Sequence, residues 1–133
     1  MSFHLSTRSL SKLEGVHPDL VAVVKRCIKI TKIDFTVLEG LRTMERQKML
    51  YTTGASTTLN SRHLTSHAVD IAPYIFGEVS WHWNHHHRLA EWMKAAAEDM
   101  EADIAWGGDW KGFPDGCHYE LSWGAYPAER VEA

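Results

Sequence analysis

From Trp81 to Met100 the apolar residues Leu89, Trp92, Met93, Ala96 and Met100 recur at helical spacing, so this stretch reads as a long helix with one buried face. Such a helix must lay that face on something, and the rest of the chain supplies candidates. Ser6 is placed to cap a short helix carrying Leu10 and Leu13. Pro18 stands where a second helix begins, in the first turn, where its missing N–H costs little. Leu20, Val21, Val24, Cys27 and Ile28 then face the core. Ile33 to Leu38 alternates apolar and polar and reads as a strand. Thr43 caps a helix over Met44–Thr52, and Gly54 to Asn60 is a polar loop. Ala68 to Ile75 is a second strand containing Asp70, with Pro73 expected to end its regular pairing. Ile104–Trp106 and His118–Leu121 are short strands joined by a Gly-rich loop. Helices and strands alternate without the βαβ rhythm of a parallel sheet. The expected class is α+β, a small antiparallel sheet packed with helices.

At 133 residues, with no repeat or Pro/Gly-rich linker, the chain is read as one domain over 1–133. Its formal charge of −3 shows no basic stripe, which argues against nucleic acid as a partner. No stretch approaches the roughly 20 apolar residues of a membrane helix, so no stable membrane association is expected. The residues Met1-Ser2-Phe3-His4-Leu5-Ser6-Thr7-Arg8 lack the charged-then-apolar order of a signal peptide, and the expected location is the cytoplasm. Cys27 and Cys117 are read as reduced thiols, and the chain as a monomer.

The chemistry concentrates in two segments: Ser61 to Asp70, holding His63, His67 and Asp70, and Trp106 to Leu121, holding Asp109, Asp115, His118 and Glu120. Two imidazoles and a carboxylate suffice as protein ligands for a catalytic metal. In a chain with nine histidines, spacing alone leaves a metal site and ordinary core or surface histidines both open.

The order of the residues adds more. Ser61-x-His63 through Ala68-x-Asp70, followed by Asp115-x-x-His118-Tyr119-Glu120, resembles the paired signature of the D-alanyl-D-alanine carboxypeptidase/dipeptidase-like zinc peptidases, S-x-H-x-x-G-x-A-x-D and then D/E-x-x-H. Gly107-Gly108-Asp109-Trp110, with aspartate before the final histidine, resembles the phage endolysin branch that hydrolyses the L-alanyl-D-glutamate bond. Gly40-Leu41-Arg42-Thr43 and Gln47 resemble the family's upstream segment. The resemblance spans residues 34–121. It implies a zinc site at the sheet, held by His63, Asp70 and His118, with Asp115 as general base and later acid. It also implies that Arg42 stabilises the oxyanion or grips a substrate carboxylate, and that Ser61 contacts substrate. The bland alternatives are a salt bridge from Arg42 to Glu39 or Glu45 and a turn cap at Ser61. The implied partner is a peptidoglycan stem peptide, cut during host lysis by a bacteriophage. The expected location is then the cytoplasm until lysis, with action on the cell wall. The rival readings are D-Ala-D-Ala carboxypeptidase or dipeptidase activity, and a degenerate domain that binds zinc and cell wall without cutting.

Ser66 stands where the family has glycine. If the position needs a positive φ, serine there costs on the order of 1 kcal/mol. His67 and Cys117 flank the ligand positions and should face away from them. His82, His85, His86 and His87 are expected at a solvated helix start rather than at a second metal site. Trp106, Trp110 and Trp123 are assigned to the core in preference to the cleft, and Glu120 is a candidate for orienting a ligand imidazole.

Overall fold

The computed structural model describes residues 3–56, 58 and 61–127. Four helices surround one antiparallel sheet, as the alternation of patterns predicts: α1 (Thr7–Lys12), α2 (Pro18–Ile30), α3 (Met44–Thr52) and α4 (Trp83–Asp99) with β1 (Phe35–Glu39), β2 (Ala68–Ile75), β3 (Glu78–Val79), β4 (Ile104–Trp106) and β5 (His118–Leu121). The caps act as the sequence proposes. The Ser6 hydroxyl accepts from the Ser9 N–H, and the Thr43 hydroxyl from the Arg46 N–H, each satisfying a donor that the helix leaves unpaired. Pro18 opens α2.

The strands run β1-β2-β5-β4, all antiparallel, with β3 pairing the far end of β2. Side-chain alternation divides this sheet into two faces. Val69 and Ile71 of β2 and Tyr119 and Leu121 of β5 are fully buried in the core against Leu20, Val23 and Val24 of α2 and Leu89, Met93 and Ala96 of α4. Burying a side chain of this size contributes about 1.5–3 kcal/mol. The residues between them, Asp70, His118 and Glu120, therefore point to the opposite face. Register then sets them side by side: Glu39 pairs with Asp70, and Asp70 with His118, across three strands.

Several expectations shift. Val23 joins the core of α2, while Val21 is half-buried at its edge, and Met100 lies exposed at the end of α4. Pro73 does not end β2, which continues to Ile75. Its ring nitrogen faces away from β1, so the β1 ladder runs on past it, with the Tyr74 N–H donating to the Asp34 carbonyl at 2.8 Å. The Pro73 carbonyl accepts the Ser80 N–H at 2.8 Å. The two-residue β3 is too short to leave a periodic signal. The solvated histidine turn is only partly so: His82 and His87 are exposed, but His86 is buried between α4 and the Gly116 backbone. Of the loop expected over 54–60, residues 57, 59 and 60 lie outside the described part.

Ser66 has φ 68° and ψ 14°, the left-handed conformation that the family's glycine supplies without strain. Its carbonyl accepts the His17 N–H at 2.8 Å, tying the end of the Arg62–Thr65 turn to the start of α2. Ser66→Gly is expected to raise stability by about 1 kcal/mol. In urea titration this appears as a higher midpoint at unchanged slope.

Candidate metal centre

His63 lies in the 3-10 turn Arg62–Thr65, which Ser61 caps by accepting the His63 N–H at 3.2 Å. Asp70 and His118 come from the paired strands β2 and β5. Their ligand atoms converge, all lying within 4.8 Å of one another, and His63 and His118 are buried. Asp70 Oδ1 is 3.1 Å from His63 Nε2 and 3.4 Å from His118 Nδ1.

The outward-facing nitrogens decide what sits between them. His63 Nδ1 lies 2.7 Å from the Gly40 carbonyl, which can only accept, so this nitrogen carries the proton. His118 Nε2 lies 2.7 Å from Glu120 Oε1, and donates there. Both imidazoles in their neutral form therefore aim lone pairs at the same carboxylate oxygen. Three acceptors facing one point require a cation between them, either a proton or a metal ion. The donor set of two imidazoles and one carboxylate, each imidazole braced behind by an acceptor, suits a divalent transition metal. With a proton as the cation, burial works against charging His118, but Asp70 and Glu120 outweigh it and raise its pKa to about 9. Burial likewise works against ionising Asp70, yet the hydrogen bonds and charges of His118 and His63 hold its carboxyl well below the usual range.

Backbone close approaches fix this geometry. A Cβ on Gly40 would lie 2.2 Å from the Lys12 carbonyl oxygen, so only glycine fits where His63 finds its acceptor. A Cβ on Gly107 would lie 2.4 Å from the Asp115 carbonyl oxygen and 3.0 Å from the His118 Cβ. One on Gly108 would strike the Trp106 ring. Gly107 in turn accepts the N–H groups of Trp110 and Asp115, which folds the β4–β5 connection over the site.

A cleft of about 220 Å³ opens onto the three groups and is also lined by Glu39, Arg42, Ser61, Trp110 and Asp115. Half-buried Asp115 accepts the Cys117 N–H on Oδ1 at 3.2 Å, with no partner for Oδ2 among the described residues. The salt bridge expected of Arg42 is formed, and the residue also lines the cleft. Its Nε and Nη2 fork onto Glu39 at 2.8 and 3.0 Å, its Nη1 donates to Gln47 at 2.7 Å, and Nη2 reaches Asp70 Oδ2 at 3.5 Å. Glu45 takes no part in that fork. Ser61 both caps its turn and lines the cleft. Gln47, fully buried, passes the network on to Ser56 and Thr58.

His67 bonds Thr65 and stacks near His17, and Cys117 is absent from the cleft lining, as alternation predicts. The tryptophans separate. Trp106 is core, Trp110 lies in the cleft rather than the core, and Trp123 lies against the Arg62 guanidinium. Buried Arg62 was missed in the sequence; it binds the carbonyls of Leu121, Ser122 and Tyr126 and so holds the chain beyond β5. Among the described residues, the α4 histidines form no second converging group. Replacing Glu120 with alanine should free His118 to rotate and weaken metal affinity by roughly 10–100-fold. Competition against a chromophoric chelator measures this, and an unchanged affinity would mean that Glu120 does not orient the imidazole.

Comparison with known proteins gives the family. A family model described as phage L-alanyl-D-glutamate peptidase matches residues 1–132. The L-alanyl-D-glutamate peptidase of Escherichia phage T5 is 29% identical over 99% of this chain and 98% of its own length. That of Listeria phage A118 is 27% identical over 95% of this chain, which spans 45% of that longer protein. The crystal structure of the Serratia marcescens L-Ala D-Glu endopeptidase ChiX shares 43% identity and a TM-score of 0.88, covering 93% of each chain. The chain belongs to the phage L-alanyl-D-glutamate peptidase family.

Proposed function

We propose that this protein hydrolyses the L-alanyl-D-glutamate bond of peptidoglycan stem peptides as a zinc peptidase acting in phage-driven host lysis. The observation that carries the reading is the convergence of His63, Asp70 and His118 on one point in a cleft that Asp115 also lines. Those three side chains would hold the zinc. When bound, zinc supplies Lewis acidity that polarises a peptide carbonyl and acidifies a water.

The chain's own groups do the rest. Asp115 takes the proton of the attacking water and delivers it to the leaving amine nitrogen. The Cys117 N–H on Oδ1 holds the carboxylate in place and leaves Oδ2 for that transfer. Arg42 presents a permanent positive charge at the cleft, suited to a carbonyl oxygen gaining negative charge or to a substrate carboxylate. Its fork onto Glu39 prevents the guanidinium from swinging away. Glu120 and the Gly40 carbonyl keep the two imidazoles oriented for the metal.

Asp115→Asn is expected to retain about one zinc per chain while kcat falls by roughly 10²–10⁴-fold. Elemental analysis and mass spectrometry of digested cell wall measure the two quantities. Wild-type products should show scission between alanine and glutamate, abolished by a chelator and restored by zinc. Release of terminal D-alanine alone would favour a carboxypeptidase instead. Metal-loaded protein that cuts no muropeptide would leave a binding domain.

A further inference from the structure

The cleft has two unlike sides, and the strand order β1-β2-β5-β4 separates them. The end of β1, with Glu39 and Arg42, lies on one side of the Asp70/His118 pair, and the β4–β5 connection lies on the other. Arg42, Ser56, Thr58 and Ser61 make the first side charged and hydroxylic, apart from Leu50 and Ala55. Trp110 and Phe113 make the second side aromatic, and they stay 39% and 48% exposed. Aromatic surface left in water forgoes the gain that burying it would bring. Among the described residues, no element of the fold fully covers these two.

The loop that carries them is nevertheless anchored on both sides. The Trp110 N–H and the Asp115 N–H both donate to the Gly107 carbonyl, at 3.1 and 2.9 Å. Asp109 is paired to Lys94 of α4 at 3.0 Å, and Gly112, at φ 85°, lets the chain reverse between the two rings. The Trp110 ring centre lies 4.9 Å from that of His118. An aromatic face is thus preorganised directly beside the metal centre.

The proposed substrate gives that face an occupant. In a stem peptide, the alanine that contributes the scissile carbonyl carries the lactyl ether of N-acetylmuramic acid on its own nitrogen. A single residue, about 3.3–3.6 Å of chain, therefore separates the reacting carbonyl from the sugar-bearing group. On the other side of the bond lie glutamate and later residues, which carry free carboxylates. Pyranose rings present C–H faces that stack on aromatic rings, and carboxylates seek a guanidinium. We propose that Trp110 and Phe113 form a saccharide subsite for the muramyl sugar, with the carboxylate-bearing side of the peptide lying towards Arg42. This rests on the stem-peptide reading above.

The test compares two soluble substrates of the intact, zinc-loaded protein: muramyl-L-Ala-D-Glu-Lys, and the same tripeptide N-acetylated without sugar. Wild type should favour the muramyl substrate about tenfold in kcat/KM. In Trp110→Ala that ratio should fall to about one, with Trp110→Phe restoring most of it and Phe113→Ala lowering it in part. A merely structural loss would slow both substrates in parallel and leave the ratio intact. Saturation-transfer NMR on the muramyl substrate supplies a second readout, with transfer to sugar protons that Trp110→Ala removes. Equal kcat/KM values in wild type, parallel losses, or transfer confined to the lysine end would overturn the subsite. If wild type cuts neither substrate but sugar transfer depends on Trp110, the subsite stands and the peptidase reading falls.

Discussion

Asp70 Oδ1 faces two imidazole nitrogens at 3.1 and 3.4 Å, and much of the structure exists to keep three acceptors that close. Without a cation between them the arrangement is repulsive. The sheet enforces it through register, because the β2–β5 pairing sets Asp70 opposite His118 and a shift of one residue would turn one of them into the core. The buried face makes such a slip costly, since Val69, Ile71, Tyr119 and Leu121 would leave the core at the same time. Apolar packing on one face thus fixes ligand geometry on the other.

His63 is not on the sheet and needs separate anchors. The Gly40 carbonyl receives its Nδ1, and the His63 carbonyl receives the Arg42 N–H at 3.0 Å, so the turn carrying His63 and the end of β1 hold each other. The left-handed Ser66 closes that turn and returns the chain to β2 only two residues later. The strain at Ser66 is therefore spent on bringing His63 back over Asp70. A serine is tolerated because both its neighbours in space, His17 and the turn itself, over-determine the backbone there.

Much of this was legible in the sequence, and for identifiable reasons. The boundaries of α3, β2, β4 and β5 follow from caps and period-two alternation, which are local signals. The exclusion of His67 and Cys117 needed only strand alternation. What local reasoning missed depends on distant partners. Pro73 reads as a strand end until the pairing shows that its ring nitrogen faces away from β1. His86 looks solvated beside His85 and His87, and its burial comes from Gly116, thirty residues away in the sequence. Arg62 carries no local signal of burial. Only the closing of residues 121–126 over it reveals a buried guanidinium with carbonyl partners.

Arg42 shows why a structural and a functional reading of one residue need not compete. A guanidinium has five N–H donors. Glu39 takes two, Gln47 one, and Asp70 lies near a fourth, which leaves one without a partner among the described residues. A free arginine would lose rotamer entropy on gripping a substrate group, whereas this one has already lost it to Glu39 and Gln47. The salt bridge also keeps Glu39 ionised: burial opposes its charge, but the Arg42 fork outweighs that and lowers its pKa. The pair then holds no net charge of its own. A divalent cation held between neutral imidazoles would be balanced by Asp70 and by Glu120 behind His118. Such a site tolerates a divalent ion without a large surplus of either sign, which keeps the Arg42 side of the cleft open to an anionic peptide.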